Sequence, residues 1–274
     1  MPNSPIVNRR VVFQGVNYDS ILVAWINELR ARAYTVPSSF YLSALNTFIV
    51  TNRENLLFRD RFYIFAQQSG CQQAATISLI NPTSTPLVEV NSPTWTANQG
   101  YTGNGTSMYL NTKYTPSTHA VKLAQNNANM DLYTRNTIVA GLKFVAGGLA
   151  GSSSIILALN YTGFGKLWAA NAAGQSINAN STTFGLYSDT RVASSGASAT
   201  ILYRNGSSLA TDTTASTALV NAEMFVMAFS NSGTPSNYDT NQYSRWSIGA
   251  SIGINYTLDY TTWQVFANTI GFAV

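Results

Sequence analysis

From Arg61 to about Ser251 the chain runs in short apolar or alternating segments, each broken within a few residues by Gly, Asn, Ser or Pro. "RFYIFAQQ", "AATISLIN" and "PLVEVNS" come first. "SMYLNTKY", "MDLYTRN", "IVAGLKF", "SIILALN", "GKLWAAN", "FGLYSDT", "ATILYRN", "SLATDT", "EMFVMAFS" and "RWSIGAS" follow. Segments this short cannot make stable helices. Alternation puts successive side chains on opposite faces of a strand, so many such strands predict a β-sandwich or barrel. Asn205-Gly206, between "ATILYR" and "SSLATDT", marks a tight hairpin, because both residues tolerate the positive φ of a type I′ turn. "EMFVMAFS" is apolar at almost every position and reads as a central strand covered on both faces.

The first sixty residues have a different period. "DSILVAWINELRARAY" spaces Leu22, Trp25, Ile26 and Leu29 for one helix face, with Asp19 or Ser20 as the cap. "VPSSFYLSALNTFIVTNRENLL" does the same with Tyr41, Leu45, Phe48 and Ile49 behind Ser38 or Ser39, and Pro37 separates the two helices. Near the end, "NYTLDYTTWQVFANTI" places Leu258, Trp263 and Phe266 on a short closing helix. The expected organisation is an N-terminal arm and helical pair over residues 1–60, serving attachment or oligomerisation, and a β-sandwich over residues 61–274.

Composition narrows the function. Hydrophobic residues make up 45% of the chain, enough for a sizeable core, while charged residues are only 9%. The net charge is +4, without a dense basic run, so nucleic acid is not an expected partner. Cys71 is the single cysteine, which rules out an intrachain disulfide. "MPNSPIVNRRVVFQG" lacks the apolar core of a secretory signal, and no apolar run reaches the length of a membrane span. Synthesis in a host cytoplasm without a signal peptide, and no membrane insertion, are expected.

"GYTGNGTSMYLNT", residues 100–112, raises the question of a phosphate-binding loop. No lysine stands at the required offset, and the residues after Gly105 alternate like a strand, so its glycines shape a turn. In context, "NQGYTGNGTSMYLNTKYTP" resembles the opening strands of laminin-G-like, concanavalin A-like jelly-roll domains. "ATILYRNGSSLAT" resembles their late hairpin and "FVMAFSNSGTPSNYDTNQYSRWSIGASI" the strands that follow. With the helical pair and "DRFYIFAQQ" ahead of them, the whole looks like a recurrent protein type of tailed bacteriophages and prophages of Bacteroidetes-type hosts, over residues 19 to 270. The resemblance implies a mainly β, jelly-roll sandwich with an N-terminal helical pair and a short C-terminal helix. It implies a non-enzymatic structural protein on the virion surface, as a head decoration or a head or tail fibre, joined to other virion proteins through its N-terminal segment. It further implies a homo-oligomer, with a trimer favoured. A lectin-like carbohydrate-binding module is the alternative, and a glycoside hydrolase comes third.

A hydrolase of this superfamily would present acids two and four residues apart on one strand face. The acids beyond residue 62 are Glu89, Asp131, Asp189, Asp212, Glu223, Asp239 and Asp259, with no two within four positions of each other. His119 stands without a nucleophile motif, and Cys71 has no neighbouring base. No catalytic residue and no cofactor are therefore expected. Some laminin-G-like domains hold calcium on a rim, and Asp189 and Asp239 are the candidate ligands in what read as rim loops; a solvated turn is the competing reading. Trp95, Tyr161, Trp168 and Tyr238 are the candidates for stacking on a glycan, against the ordinary role of aromatics as core.

Overall fold

The computed structural model describes residues 10–13, 16–136, 144–159, 166–172, 176–178 and 184–272. A hairpin of β1 (Arg10–Phe13) and β2 (Val16–Asp19) leads into helices α1 (Ser20–Ala31), α2 (Ser39–Thr51) and the single turn α3 (Arg53–Leu56). Next come β3 (Arg59–Ile64), β4 (Val88–Val90), β5 (Thr94–Thr96), β6 (Gly100–Thr102), β7 (Tyr109–Asn111) and the turn α4 (Pro116–His119). The central strands are β8 (Ala128–Thr134), β9 (Ala146–Ala150), β10 (Ser153–Ala158), β11 (Lys166–Ala172), β12 (Ser176–Asn178) and β13 (Gly185–Arg191). The chain closes with β14 (Thr200–Arg204), β15 (Ser207–Asp212), β16 (Phe225–Val226), β17 (Phe229–Asn231), β18 (Thr234–Ser236), β19 (Gln242–Gly249) and α5 (Tyr256–Thr269).

The helix starts follow the sequence. Asp19 accepts a hydrogen bond from the Ile21 amide, Ser38 from Tyr41, and Asn255 from Leu258, each satisfying a donor that the first turn leaves open. The Asn205-Gly206 hairpin also forms as expected: both residues have positive φ, and Arg204 faces Ser207.

Two sheets stack. One runs β15-β14-β13-β8-β19-β6-β5, with β3 pairing the other half of β19 beyond β6. The second runs β12-β11-β10-β9-β16-β7-β4, with β17 and β18 added beside β9. Leu132, Tyr187, Trp246 and Tyr63 of the first sheet meet Leu110, Ile155, Leu157 and Val226 of the second in the sandwich core. The alternate residues of the first sheet, including Phe62, Ile64, Tyr133 and Leu186, turn the other way. They pack under α1, α2 and α5 with Trp25, Phe48, Trp263 and Phe266. The first sheet is thus buried on both faces, and the protein is a mainly β jelly-roll sandwich with a helical layer. The helices of the first sixty residues and α5 share that layer, and the boundary expected at residue 60 falls inside β3.

Some local readings are corrected. "AATISLIN" is no strand: it holds a 3-10 turn over Gln72–Thr76 and then irregular backbone, whose Ser78 hydroxyl accepts from the Phe62 amide. "EMFVMAFS" is buried throughout its apolar stretch but broken into β16 and β17, because Met227 adopts a left-handed φ of 66°. "IVAGLKF" lies outside the described residues except for Phe144. The glycine-rich stretch does form a turn, in which Asn104 accepts from the amides of Thr106, Ser107 and Met108. That turn carries the chain from β6 in one sheet to β7 in the other.

Candidate functional site

The seven acids beyond residue 62 meet different fates. The fold brings two of them together: Asp131 on β8 and Asp259 on α5 share the guanidinium groups of Arg59 and Arg245. Alternation explains the placement. Leu132 and Trp246 enter the sandwich core, so Asp131, Arg245 and Ser247 face the helical layer. Arg245 donates to both Asp259 oxygens at 3.2 and 2.5 Å, and Asn52, which caps the C-terminus of α2, adds a third bond at 2.7 Å. Ser247 and Asn129 donate to Asp131, each at 2.9 Å. Burial alone would raise the Asp259 carboxyl, but Arg245 and Arg59, with hydrogen bonds from Arg245 and Asn52, hold it below the usual carboxylate range. Both acids are fully buried. Carboxylates this buried, held by guanidinium, hydroxyl and amide donors, serve to fasten elements of the fold to one another. This cluster pins α5 and α2 to the sheet.

The two calcium candidates, Asp239 and Asp189, are placed differently. Asp239 does lie in a loop, yet it is buried and accepts from the Tyr243 hydroxyl, Asn241 and the Thr240 amide. Those donors occupy the oxygens that a calcium ion would need. Asp189 is not in a rim loop. It sits within β13, opposite Met130 and Leu202, fully buried, and neither carboxylate oxygen has a hydrogen-bond partner. Burial pushes its carboxyl well up, against a smaller pull from Arg191. Among the described residues no three acids, histidines or cysteines gather as a metal site. His119 is exposed and its Nδ1 accepts from the Thr115 amide at 2.8 Å, while Cys71 is buried.

The aromatic candidates divide as well. Trp95 is half-buried against the sandwich core and its Nε1 donates to the Phe65 carbonyl at 2.9 Å, which is a packing role. Tyr161 lies outside the described residues. Trp168 lies in β11, in register with Leu157 and Ser176. Tyr238 is half-buried beside a partner that sequence reading missed: its ring lies 6.1 Å from Tyr109, which is 4.7 Å from Phe225. Leu110 points into the core, so its neighbours Tyr109 and Asn111 take the outer face of the second sheet. Beside them, Glu223 accepts from Asn111 and pairs with Lys113 at 3.3 Å. The result is a pair of half-exposed phenol rings flanked by an amide, a carboxylate and an ammonium. Flat rings offer an apolar face and the polar groups offer directional hydrogen bonds, the combination that a hydroxylated ring ligand requires.

No protein-family model and no curated protein matches this chain. Its fold is similar to that of a mutant of Trypanosoma rangeli sialidase displaying trans-sialidase activity, with a TM-score of 0.50, 12% identity, and coverage of 89% of this chain but 38% of that one. It also matches domain 4 of AbnA, a GH43 extracellular arabinanase from Geobacillus stearothermophilus, in complex with arabinotriose. There the TM-score is 0.45, the identity 12%, and the coverage 74% of this chain and 98% of that one. At 12% identity the likeness to the sialidase concerns the fold alone, in keeping with the jelly-roll-like β-sandwich described above.

Proposed function

We propose that the protein is a non-enzymatic structural component of a phage particle, displayed on the virion surface and joined to its neighbours through the helical layer. The observation that carries this reading is the sealing of Asp131 and Asp259. The fold uses the acids it brings together to fasten helices to a sheet, where a hydrolase would hold them across an open cleft. The helical layer also offers a contact face. A groove between α2 and α5 is lined, among the described residues, by Ser, Thr, Ala, Phe, Val and Leu without a charge, and Phe40 and Val265 of that lining are 64% and 60% exposed. Mass spectrometry of purified particles tests the proposal. The chain should appear in fixed ratio to the major shell protein, and Val265→Asp should lower that ratio. Absence from particles, or release of sugar from polysaccharide by the pure protein, overturns it.

A second reading, glycan binding on the same displayed body, is favoured by the Tyr109–Tyr238 surface. Glycan-array signal lost in both Tyr109→Ala and Tyr238→Ala would support it; uniform silence of the parent protein removes it.

A further inference from the structure

Away from the aromatic surface and the α2–α5 groove, a cavity of about 460 Å³ opens between α1, the end of α3 and residues 79–82. Its walls are largely aliphatic, with Ile21, Leu57, Leu79 and Ile80 among them, Ser20 and Asn81 add neutral polar groups, and among the described residues no aromatic ring or carboxylate takes part in its lining. Arg59 and Lys122 supply the basic groups. The Arg59 side chain is only 1% exposed, and its Nη2 is committed to Asp131 and Asp259. Its Nη1 is buried and has no hydrogen-bond partner. Lys122 is held at the rim because its backbone amide donates to Asp60 at 2.7 Å, as do those of Val121 and Leu123 at 3.2 and 3.1 Å. The Lys122 side chain itself is exposed.

We propose that this cavity binds an aliphatic monocarboxylate, with the alkyl chain along the α1 wall and the carboxylate between Arg59 and Lys122. A buried guanidinium N–H without an acceptor is costly, and a ligand oxygen relieves that cost. Arg59 is already balanced within a set of two arginines and two aspartates, so the attraction for a net negative head comes from Lys122. The volume suits a small molecule, and saturated walls favour an alkyl body over a sugar or a nucleobase. This site is independent of the structural and glycan-binding roles proposed above.

Octanoate, octanol and octylamine serve as probes, titrated below their aggregation limits into the full chain and followed by the methyl resonances of Ile21, Leu79 and Ile80. Octanoate should saturate these shifts and bind roughly fivefold tighter than octanol, the effect of one exposed charge, with octylamine weakest. Lys122→Glu should remove the preference for octanoate over octanol. Ala24→Trp, on the exposed face of α1 at the cavity wall, should abolish binding while the melting curve shows an intact fold. Failure of octanoate to saturate, equal binding of octanol or octylamine, or unchanged binding in folded Ala24→Trp overturns the proposal.

Discussion

Arg245 of β19 grips Asp259 of α5 through both carboxylate oxygens, at 3.2 and 2.5 Å, inside a region that solvent does not reach. The guanidinium also lies over the rings of Phe62 and Trp263, at 5.0 and 5.2 Å. One contact therefore ties the helical layer to the sheet by charge, hydrogen bonding and packing together.

Removing one charge from this cluster should be severe. Asp259→Asn leaves Arg59 and Arg245 facing Asp131 alone, an uncompensated buried charge that costs about 3–5 kcal/mol. Urea unfolding measures the loss. A variant within about 0.5 kcal/mol of the parent would show that the cluster adds little.

Acid should loosen the helical layer. The folded state holds the Asp259 carboxyl below its ordinary value, so its contribution is complete above the usual carboxylate range, near pH 4. It declines as the pH falls through the lower folded value. Near-ultraviolet dichroism from Trp25 and Trp263 should weaken below pH 4 in the parent protein, whereas a signal unchanged to pH 2 would contradict this.

Asp189 should act in the opposite direction. Its carboxyl is raised by burial, so the folded state keeps a proton that the unfolded chain gives up, and stability falls as the pH rises above the usual carboxylate range. Asp189→Val, between Met130 and Leu202, removes two buried oxygens without partners. It should stabilise the protein by about 1–3 kcal/mol at pH 7, with a smaller gain at pH 4. Thermal melts at the two pH values decide, and a destabilised variant at pH 7 would refute the assignment.

Gly100 should tolerate no side chain. Its φ is +116°, and a Cβ would come within 1.9 Å of the Tyr243 carbonyl oxygen on the paired strand. Gly100→Ala should cost more than about 2 kcal/mol, combining backbone strain with displacement of β6. Gly196→Ala, where φ is +97° but nothing lies within 4 Å, should cost less. Equal melting temperatures for the two variants would show that space at Gly100 is not limiting.

Local chemistry made much of the architecture legible from the chain. Asp19, Ser38 and Asn255 cap helices because their side chains reach amides two or three residues away, and Asn205-Gly206 turns because both residues accept positive φ. Alternation foretold most strands for the same reason, since it is a property of neighbours. It failed at "EMFVMAFS", where Met227 takes a left-handed φ that the apolar run around it does not signal.

The site residues were less legible. Asn129 and Asp131, like Arg245 and Ser247, carry a polar period of two that ordinarily means a face in water; only α5 and α2 laid across that face make it an interior. Tyr109 gave no separate signal, because its partner Tyr238 is brought in by a loop more than a hundred residues later.

Sequence by itself determined the short strands, the capped helices and the Asn205-Gly206 hairpin, since each depends on interactions within a few residues. Tertiary structure alone decided which charges are buried, paired or left without a partner. The state of a carboxylate depends on the water and countercharges around it, and for Asp259 the countercharges come from segments as distant as Arg59 and Arg245.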